Sequence, residues 1–271
     1  MISFLFWNLN GKTLEESIVR LSIIYNIDVL IITECSIEPH LLLRKLNYNY
    51  TSKYHYVPNI ECDEFLLFTK FTDRFVVPKL EYDRLTIRNL KIPGLADILL
   101  ACVHFPSKLF WSEQSQAFEC VKLSESIIEA EEKIGHSRTI LVGDFNMNPF
   151  EVGIISAIGL HAVMCKHIAA KKNRVVQGKN YPFFYNPMWG LFGDGSPGPP
   201  GTYYYPRSEH AVFFWNMFDQ VLIRPELINF FNNEDLKILN SDGKNSLVTE
   251  EGLPDVKKSS DHLPIFFKLD L

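Results

Sequence analysis

The sequence predicts an α/β protein with more than one β-sheet, and two observations support this class. The chain opens with a strand, helix, strand pattern over residues 2 to 7, 13 to 25 and 28 to 33. From about residue 49 to residue 104, and again near the C-terminus, short apolar runs are typical of further strands. A single dinucleotide-binding sheet would need a glycine-rich turn after the first strand, whereas "WNLNG" has one glycine. We therefore expect several sheets covered by helices.

The opening unit places two polar residues at strand ends. Between the strands, apolar residues recur at helical spacing at Leu14, Ile18, Leu21 and Ile24 or Tyr25. Asn8 and Glu34 follow the two strands directly, and these strands can be neighbours in one sheet.

The middle of the chain predicts a run of strands and then one long helix. The runs "FLLFTKF", "RFVVPKL", "RLTIRNLKI" and "ADILLACVHF" are separated by turn residues and predict a meander. Residues 112 to about 133 follow a helical pattern, with an inner face of Ala117, Val121, Leu123 or Ser124, Ile127 and Ile128. The next strand is "RTILVGDFN".

The last third of the chain begins with an unusual segment. Residues 171 to 210 are rich in proline, glycine and aromatic residues and lack periodicity, which predicts an ordered but irregular excursion near a functional face. After it, "VFFWNMFDQVLI" predicts one strand that contains Asp219, and a closing strand is expected after Pro264. We expect one domain over residues 1–271.

Composition limits the functions that fit. No apolar run approaches the roughly 20 residues that span a bilayer, and the first residues lack the features of a signal peptide, so no stable membrane association is expected. Five cysteines at wide, irregular spacing favour reduced thiols and a cytoplasmic location. A net charge of −5 argues against tight non-specific binding to nucleic acid. It remains compatible with a nuclease that has a local basic rim and a divalent cation. Nothing in the sequence identifies a protein partner.

Polar groups recur where apolar strands end. They are Asn8, Glu34, His104, Asp144 with Asn146, and Asp261 with His262, while Asp219 lies within a further strand-like run. Ligand sites of open α/β sheets form at such strand ends. Each group alone has a structural alternative, since Asp144 and Asn146 also suit a turn and His104 a core histidine. The combination favours a functional site.

The residue types suggest a metal centre. Glu34, Asp261 and Asn8 offer hard oxygen ligands. Such ligands suit Mg²⁺, or Mn²⁺ as a substitute, rather than zinc, whose structural sites prefer cysteine and histidine.

The remaining groups suggest hydrolysis at phosphorus. His262 can transfer a proton or stabilise charge, and Asp219 is the predicted carboxylate that orients it. Asp144 would align an attacking water, and Asn146 would donate hydrogen bonds to a phosphoryl oxygen.

The order of these motifs resembles the endonuclease/exonuclease/phosphatase superfamily, the deoxyribonuclease I-like metal-dependent phosphoesterases. The motifs are "FWNLNG", "IITE", "CVHF", "VGDFNMNP", "MFDQVL" and "SSDHLPI", and they span nearly the whole chain. The resemblance implies a four-layered α/β sandwich, in which two mixed β-sheets pack face to face between outer helices.

The resemblance also implies roles for the residues. Glu34 would bind the metal with help from Asn8 and Asp261, and Asn146 and His104 would bind the scissile phosphate. Asp144 would orient or activate the water, and His262, paired with Asp219, would stabilise the transition state.

At two positions the sequence differs from the abasic-site endonucleases, one branch of this superfamily. Asn10 stands where abasic-site endonucleases have an aspartate, and His104 stands where they have a tyrosine. The abasic-site branch therefore fits less well. The complete motif set, and aromatic residues of the 171–210 segment that could stack on bases, Tyr203 among them, lead us to expect a Mg²⁺-dependent nuclease with nucleic acid as its substrate. The alternatives are a phosphodiesterase or phosphatase for a small nucleotide, a phosphoinositide or a phospholipid head group, and a catalytically silent binding module.

Overall fold

A computed structural model describes residues 1–48 and 53–271. The strands, in chain order, are β1 (Ile2–Asn8), β2 (Val29–Thr33), β3 (His55–Val57), β4 (Phe65–Thr69), β5 (Val76–Tyr82), β6 (Leu85–Leu90), β7 (Ile98–His104), β8 (Thr139–Asp144), β9 (Ala162–Val163), β10 (Asn173–Val176), β11 (Lys179–Pro182), β12 (Phe184–Tyr185), β13 (Tyr203–Tyr205), β14 (Phe214–Asn216), β15 (Asp219–Ile223), β16 (Lys237–Ile238) and β17 (Ile265–Leu269). The α-helices are α1 (Glu15–Ile24), α2 (Pro39–Leu46), α3 (Glu113–Ile134), α4 (Val152–Ile155) and α5 (Lys166–Ala169). Short 3₁₀ helices span Asp73–Phe75, Pro187–Gly190, Pro225–Phe230 and Asn233–Asp235.

The first sheet has the strand order β16-β17-β1-β2-β4-β3. β1 and β2 are parallel and α1 connects them, so the predicted strand, helix, strand unit is confirmed. Asn8 lies opposite Thr33 in this pair, which makes Asn8 and Glu34 neighbours at one edge of the sheet. The closing strand predicted after Pro264 is β17, which pairs antiparallel with β1.

The second sheet has the strand order β5-β6-β7-β8-β15-β12-β9. The predicted meander is correct for β5, β6 and β7, which pair in succession. It is wrong for "FLLFTKF", because that segment forms β4 in the first sheet, between β2 and β3. The start of the predicted region, at about residue 49, falls on residues 49–52, outside the described residues.

The predicted strand around Asp219 is in fact two strands in different sheets. β14 pairs with β13 in a separate two-stranded sheet, whereas β15 pairs with β8. Asp219 is therefore the first residue of a strand and not an interior one. The segment of residues 171–210 is ordered and contains β10 to β13, of which β12 joins the second sheet.

The inner face of α3 is displaced from the predicted one. Ala117, Val121 and Ile128 are only half-buried. The buried residues are Gln116, Cys120, Leu123, Ser124, Ile127, Ala130 and Glu131. Gln116 and Glu131, which an apolar pattern omits, are both buried: Gln116 Nε2 donates to the Pro106 carbonyl at 3.0 Å, and Glu131 Oε1 accepts from Arg224 Nε at 2.8 Å.

The two sheets pack face to face, and this confirms the predicted four-layered sandwich. One core cluster joins Phe4 and Phe6 of β1 to Leu100, Val142 and Val221 of the second sheet. The opposite face of the second sheet packs on α3, through a cluster that includes Ala101, Leu141, Leu123 and Ile127. On the outer face of the first sheet, Tyr25 at the end of α1 packs on Phe266, with ring centroids 4.8 Å apart.

Two predictions from composition can be compared with the structure. All five cysteines are free. Among the described residues, no helix combines the length and the apolar character that crossing a membrane requires.

Candidate active site

The predicted site residues continue the faces of the strands that form the inter-sheet core. Ile140 and Val142 of β8 point into this core, so Asp144, two residues further on, points to the same side. His104 extends β7 and Asp219 begins β15 on the same face. The site thus lies where the space between the two sheets opens at one edge.

Strand register brings these groups together. Asp144 lies opposite His104 in the parallel pair β7–β8 and opposite Asp219 in the antiparallel pair β8–β15. Because β15 runs antiparallel, its first residue lies at the edge where β7 and β8 end. The facing sheet contributes Asn8 and Glu34 from the ends of β1 and β2.

Asn8 links two carboxylates across the gap between the sheets. Its Nδ2 donates to Glu34 Oε1 and to Asp144 Oδ2, at 3.0 Å each. Its Oδ1 accepts from the Asn10 backbone N–H at 2.9 Å, which fixes the orientation of the amide. Glu34 has a φ of 47°, in the left-handed region that non-glycine residues rarely adopt. The Gly11 N–H donates to the Glu34 carbonyl at 2.8 Å and supports this turn.

His104 lies between carboxylates. Its Nδ1 donates to Glu64 Oε2 at 2.6 Å, and its Nε2 is 3.1 Å from Glu34 Oε1 and 3.9 Å from Asp144 Oδ2. Burial alone would lower the pKa of His104, but its bonds to Glu34 and Glu64 outweigh burial and raise the pKa to about 10. The hydrogen bond to His104 in turn lowers the pKa of Glu34 to about 2.

His262 and Asp219 form the second histidine–carboxylate pair. His262 Nδ1 donates to Asp219 Oδ2 at 2.8 Å, and His262 Nε2 lies 3.8 Å from Asp144 Oδ2. The ring packs against Tyr203, with centroids 4.7 Å apart, and Trp7 Nε1 donates to the His262 carbonyl at 2.9 Å. Burial opposes the charged imidazolium, but Asp219 and Asp144 prevail and raise the pKa of His262 to about 10.

Asp144 is held at the end of β8 by the turn that follows it. The Asn146 backbone N–H donates to Asp144 Oδ1 at 2.8 Å, and Asn146 has a φ of 49°, which asparagine tolerates better than most residues. Asn146 Nδ2 donates to the Phe105 carbonyl at 2.8 Å. Burial raises the pKa of Asp144, and the positive charge of His262 limits that rise.

A cavity of about 600 Å³ opens onto these groups. The predicted residues that line it are Glu34, His104, Asp144, Asn146, Asp261 and His262. Asn8 and Asp219 lie behind this wall and bond to residues of the lining. Asp261 Oδ1 is 3.3 Å from Ser260 Oγ, and Ser260 Oγ also donates to the Asn8 carbonyl at 2.7 Å.

The donor set fits a divalent cation with oxygen ligands. Ligand atoms of Glu34, His104 and Asp144 lie within 4.8 Å of one another, as do those of Asp144, Asp219 and His262. The second group is fully buried, and Asp219 Oδ2 is already bonded to His262. The first group is reachable, because the Glu34 side chain is 38% exposed. Glu34 and Asp144 supply the carboxylate oxygens that Mg²⁺ and Mn²⁺ prefer.

Three residues that shape the site were absent from the sequence prediction. They are Glu64, Arg84 and Ser260. Glu64 immediately precedes β4, which is antiparallel to β2, so it reaches the same edge as the strand ends. The sequence signal that could have identified Glu64 is a carboxylate directly before the apolar run of β4.

Comparison with known proteins supports the fold. No protein-family model and no curated protein matches the chain. Among solved structures, an endonuclease/exonuclease/phosphatase family protein from Leptotrichia buccalis is 14% identical, with a TM-score of 0.57 and 100% of both chains covered. A 3′ phosphatase, NExo, from Neisseria, bound to a product DNA hairpin, is 14% identical, with a TM-score of 0.53 and 100% of both chains covered.

A third similar structure is an endonuclease domain. It comes from TRAS1, a telomere-specific non-LTR retrotransposon, and is 12% identical, with a TM-score of 0.53 and coverage of 100% of this chain and 99% of that one. The chain has a deoxyribonuclease I-like sandwich fold. More particularly, it shares the architecture of endonuclease/exonuclease/phosphatase structures, as the motif order predicted.

Proposed function

We propose that this chain is a divalent-metal-dependent phosphoesterase that cuts nucleic acid phosphodiesters. One observation carries the proposal: two histidine–carboxylate pairs and the linked carboxylates Glu34 and Asp144 converge at one cavity. A structural role does not require two buried histidines whose pKa values are both raised, since such groups are costly to bury.

The metal site is assigned to Glu34 and Asp144, whose ligand atoms lie within 4.8 Å of one another, and Asp261, the other predicted carboxylate ligand, lines the same cavity. Asn8 orients Glu34 and Asp144 through its amide N–H groups. A bound Mg²⁺ or Mn²⁺ would neutralise phosphate charge and polarise the phosphorus centre.

The chain's own groups supply the remaining chemistry. Asp144, held at the end of β8 and lining the cavity, is placed to align a water molecule and accept its proton. His262 Nε2–H points towards Asp144, and the Asp219 carboxylate holds its ring from behind. His104 is held by Glu64 through Nδ1, and its Nε2 lies 3.1 Å from Glu34 Oε1. His262 is therefore the donor placed to stabilise charge on a phosphoryl oxygen as the transition state forms, and the charged His104 adds positive charge to the same cavity.

Aromatic side chains favour a nucleic acid as the substrate. Phe110, Trp111 and Tyr203 line the cavity beside the catalytic groups, where bases that flank a phosphate can stack. Two of the similar structures are, by their descriptions, an endonuclease domain and a phosphatase bound to DNA. Among the described residues that line the cavity, Arg84 is the one lysine or arginine, and it lies 3.5 Å from Glu64. Recognition through base stacking therefore fits this cavity better than recognition through backbone charge alone.

The test is a cleavage assay with purified protein on single-stranded and duplex DNA and RNA, with Mg²⁺, Mn²⁺ or EDTA. We expect metal-dependent cleavage of at least one polynucleotide. Absence of cleavage of all four in either metal would reject the nuclease assignment.

A phospholipid head group is the second candidate substrate. Leu109 and Phe110, at the mouth of the cavity, are 69% and 83% exposed, and such side chains can enter a lipid interface. Hydrolysis of a phosphodiester lipid in mixed micelles, with polynucleotides left intact, would favour this candidate.

A further inference from the structure

A second cavity lies at the far end of the second sheet from the catalytic groups. β15 runs from Asp219, at the catalytic end, to Ile223 at the other end. Tyr185 of β12 lies opposite Ile223, so β12 and the segments around it are at the end of the sheet away from the catalytic groups. The cavity has a volume of about 390 Å³ and lies among the residues before β9, the helix α5 and the β10–β11 hairpin. This volume falls in the range of small-molecule sites.

The cavity has one apolar side and one basic side. The apolar side is a wall formed by Val163, Ile168 and Phe183. Lys171 and Arg174 contribute two cations, and neither side chain forms an ion pair within residues 1–48 and 53–271. In contrast, Lys172 between them is 3.5 Å from Glu226.

The surrounding sequence is basic within an acidic chain. Residues 152 to 193 contain no aspartate or glutamate. They do contain Lys166, Lys171, Lys172, Arg174 and Lys179. The field at this cavity therefore attracts an anion, although the whole chain carries a net charge of −5.

A buried histidine in the cavity wall has an unused hydrogen-bonding atom. His161 is 2% exposed and stacks on Phe183, with ring centroids 4.1 Å apart. Its Nδ1 is 3.3 Å from the Pro182 carbonyl, which can only accept, so the proton is on Nδ1. Burial and the nearby Arg174 lower the pKa of His161, which keeps the ring neutral. Nε2 is then an acceptor, and it has no partner among the described residues.

A ligand for this cavity needs three properties: negative charge for Lys171 and Arg174, an apolar planar part for the wall, and an N–H or O–H donor for His161. We propose that the cavity binds a nucleotide unit, either free or as part of a nucleic acid strand. Lys171 and Arg174 hold the phosphate, Val163 and Ile168 contact the base, and His161 Nε2 accepts from a base or sugar donor. The site is separate from the catalytic cavity and does not depend on the proposed activity.

Calorimetry on the Asp144→Asn protein in EDTA tests the proposal, because this variant prevents hydrolysis and leaves the second cavity unchanged. The probes are the four ribonucleoside monophosphates, adenosine and inorganic phosphate. We expect at least one nucleotide to bind more than about tenfold tighter than phosphate or adenosine, since each of these makes only part of the contacts.

Variants locate the binding. Lys171→Ala and Arg174→Ala, both at exposed side chains, should weaken nucleotide binding about tenfold each, as expected for the loss of a charge-assisted hydrogen bond. Lys179→Ala is the matched control, because Lys179 is exposed on the same hairpin and does not line the cavity. His161→Phe keeps a ring against Phe183 and should weaken nucleotide binding but not phosphate binding, and a thermal melt verifies that it folds.

Three outcomes would overturn the proposal: no nucleotide binds at millimolar concentration, phosphate binds as tightly as every nucleotide, or Lys179→Ala weakens binding as much as Arg174→Ala. A single-stranded oligonucleotide without terminal phosphates distinguishes a nucleic acid strand from a free nucleotide as the ligand. If the oligonucleotide binds and Arg174→Ala weakens that binding, the site is assigned to a strand. If only mononucleotides bind, the site is assigned to a free nucleotide.

Discussion

His262 and Asp219 form a buried hydrogen bond of 2.8 Å, although 43 residues separate them in the chain. Asp219 Oδ1, the other carboxylate oxygen, has no hydrogen-bond partner among the described residues. A buried carboxylate so placed is costly unless a charged partner compensates for it. The pair therefore holds a charged imidazole beside Asp144, at the cavity that we assign to catalysis.

Asp219→Asn should lower kcat by about 10²- to 10⁴-fold, the usual contribution of a positioned acid–base group. The substitution keeps the shape of the side chain but removes the charge that raises the pKa of His262. Steady-state kinetics on the substrate found in the cleavage assay measure the effect. Asp194→Asn, at an exposed residue, is the control for the same chemical change. Near-normal kcat in Asp219→Asn would remove His262 from the catalytic assignment.

Glu64→Gln should reduce activity without unfolding the protein. Glu64 bonds His104 Nδ1 at 2.6 Å, so loss of its charge weakens the orientation of the ring and lowers the pKa of His104. We expect kcat to fall by at least about tenfold, and a histidine NMR titration to show the lower pKa. An unchanged titration would mean that Glu34 alone sets the charge of His104.

The stability of the metal-free protein should fall as the pH rises above neutrality. The pKa values of His104 and His262 are about 10 in the folded protein, above the usual value of about 6.5 in the unfolded chain. Their contribution is therefore complete below about pH 6.5 and is lost as the pH rises towards 10. Urea unfolding in EDTA between pH 6 and 10 measures the slope. Glu64→Gln should show a shallower loss, and an equal slope in both proteins would contradict the assignment.

Glu131→Ala should destabilise the fold by about 3–5 kcal/mol, because it leaves a buried charge without its partner. Glu131 on α3 accepts from Arg224 Nε at 2.8 Å and from Arg224 Nη2 at 3.2 Å, and both residues are buried. Denaturant unfolding measures the difference. Glu132→Ala, at the next and exposed position, is the control and should change stability little. Equal losses in the two variants would show that the helix, and not the ion pair, determines the effect.

The sequence was informative where a strand carries both hydrophobic pattern and function. β7 and β8 bury every residue and end in His104 and Asp144, so the change from apolar to polar identifies the site. The sequence was less informative for site residues that lie at the start of antiparallel strands. Asp219 and Glu64 lie at strand starts, and only the pairing of β15 and β4 shows that these starts meet the other strands' ends.

The pattern also failed where polar residues are buried with partners. Gln116 and Glu131 belong to the inner face of α3 because each has a distant partner, which local periodicity does not reveal. Similarly, β4 was assigned to the wrong sheet because an apolar run does not specify its neighbour.

The most direct test of the catalytic account is hydrolysis by wild type and Asp144→Asn protein, side by side, on DNA, RNA, nucleotides and phospholipids with Mg²⁺, Mn²⁺ or EDTA. The account predicts that wild type cleaves a phosphodiester only with metal and that Asp144→Asn loses at least about 100-fold in kcat. Equal cleavage by both proteins, or cleavage that persists in EDTA, would contradict it.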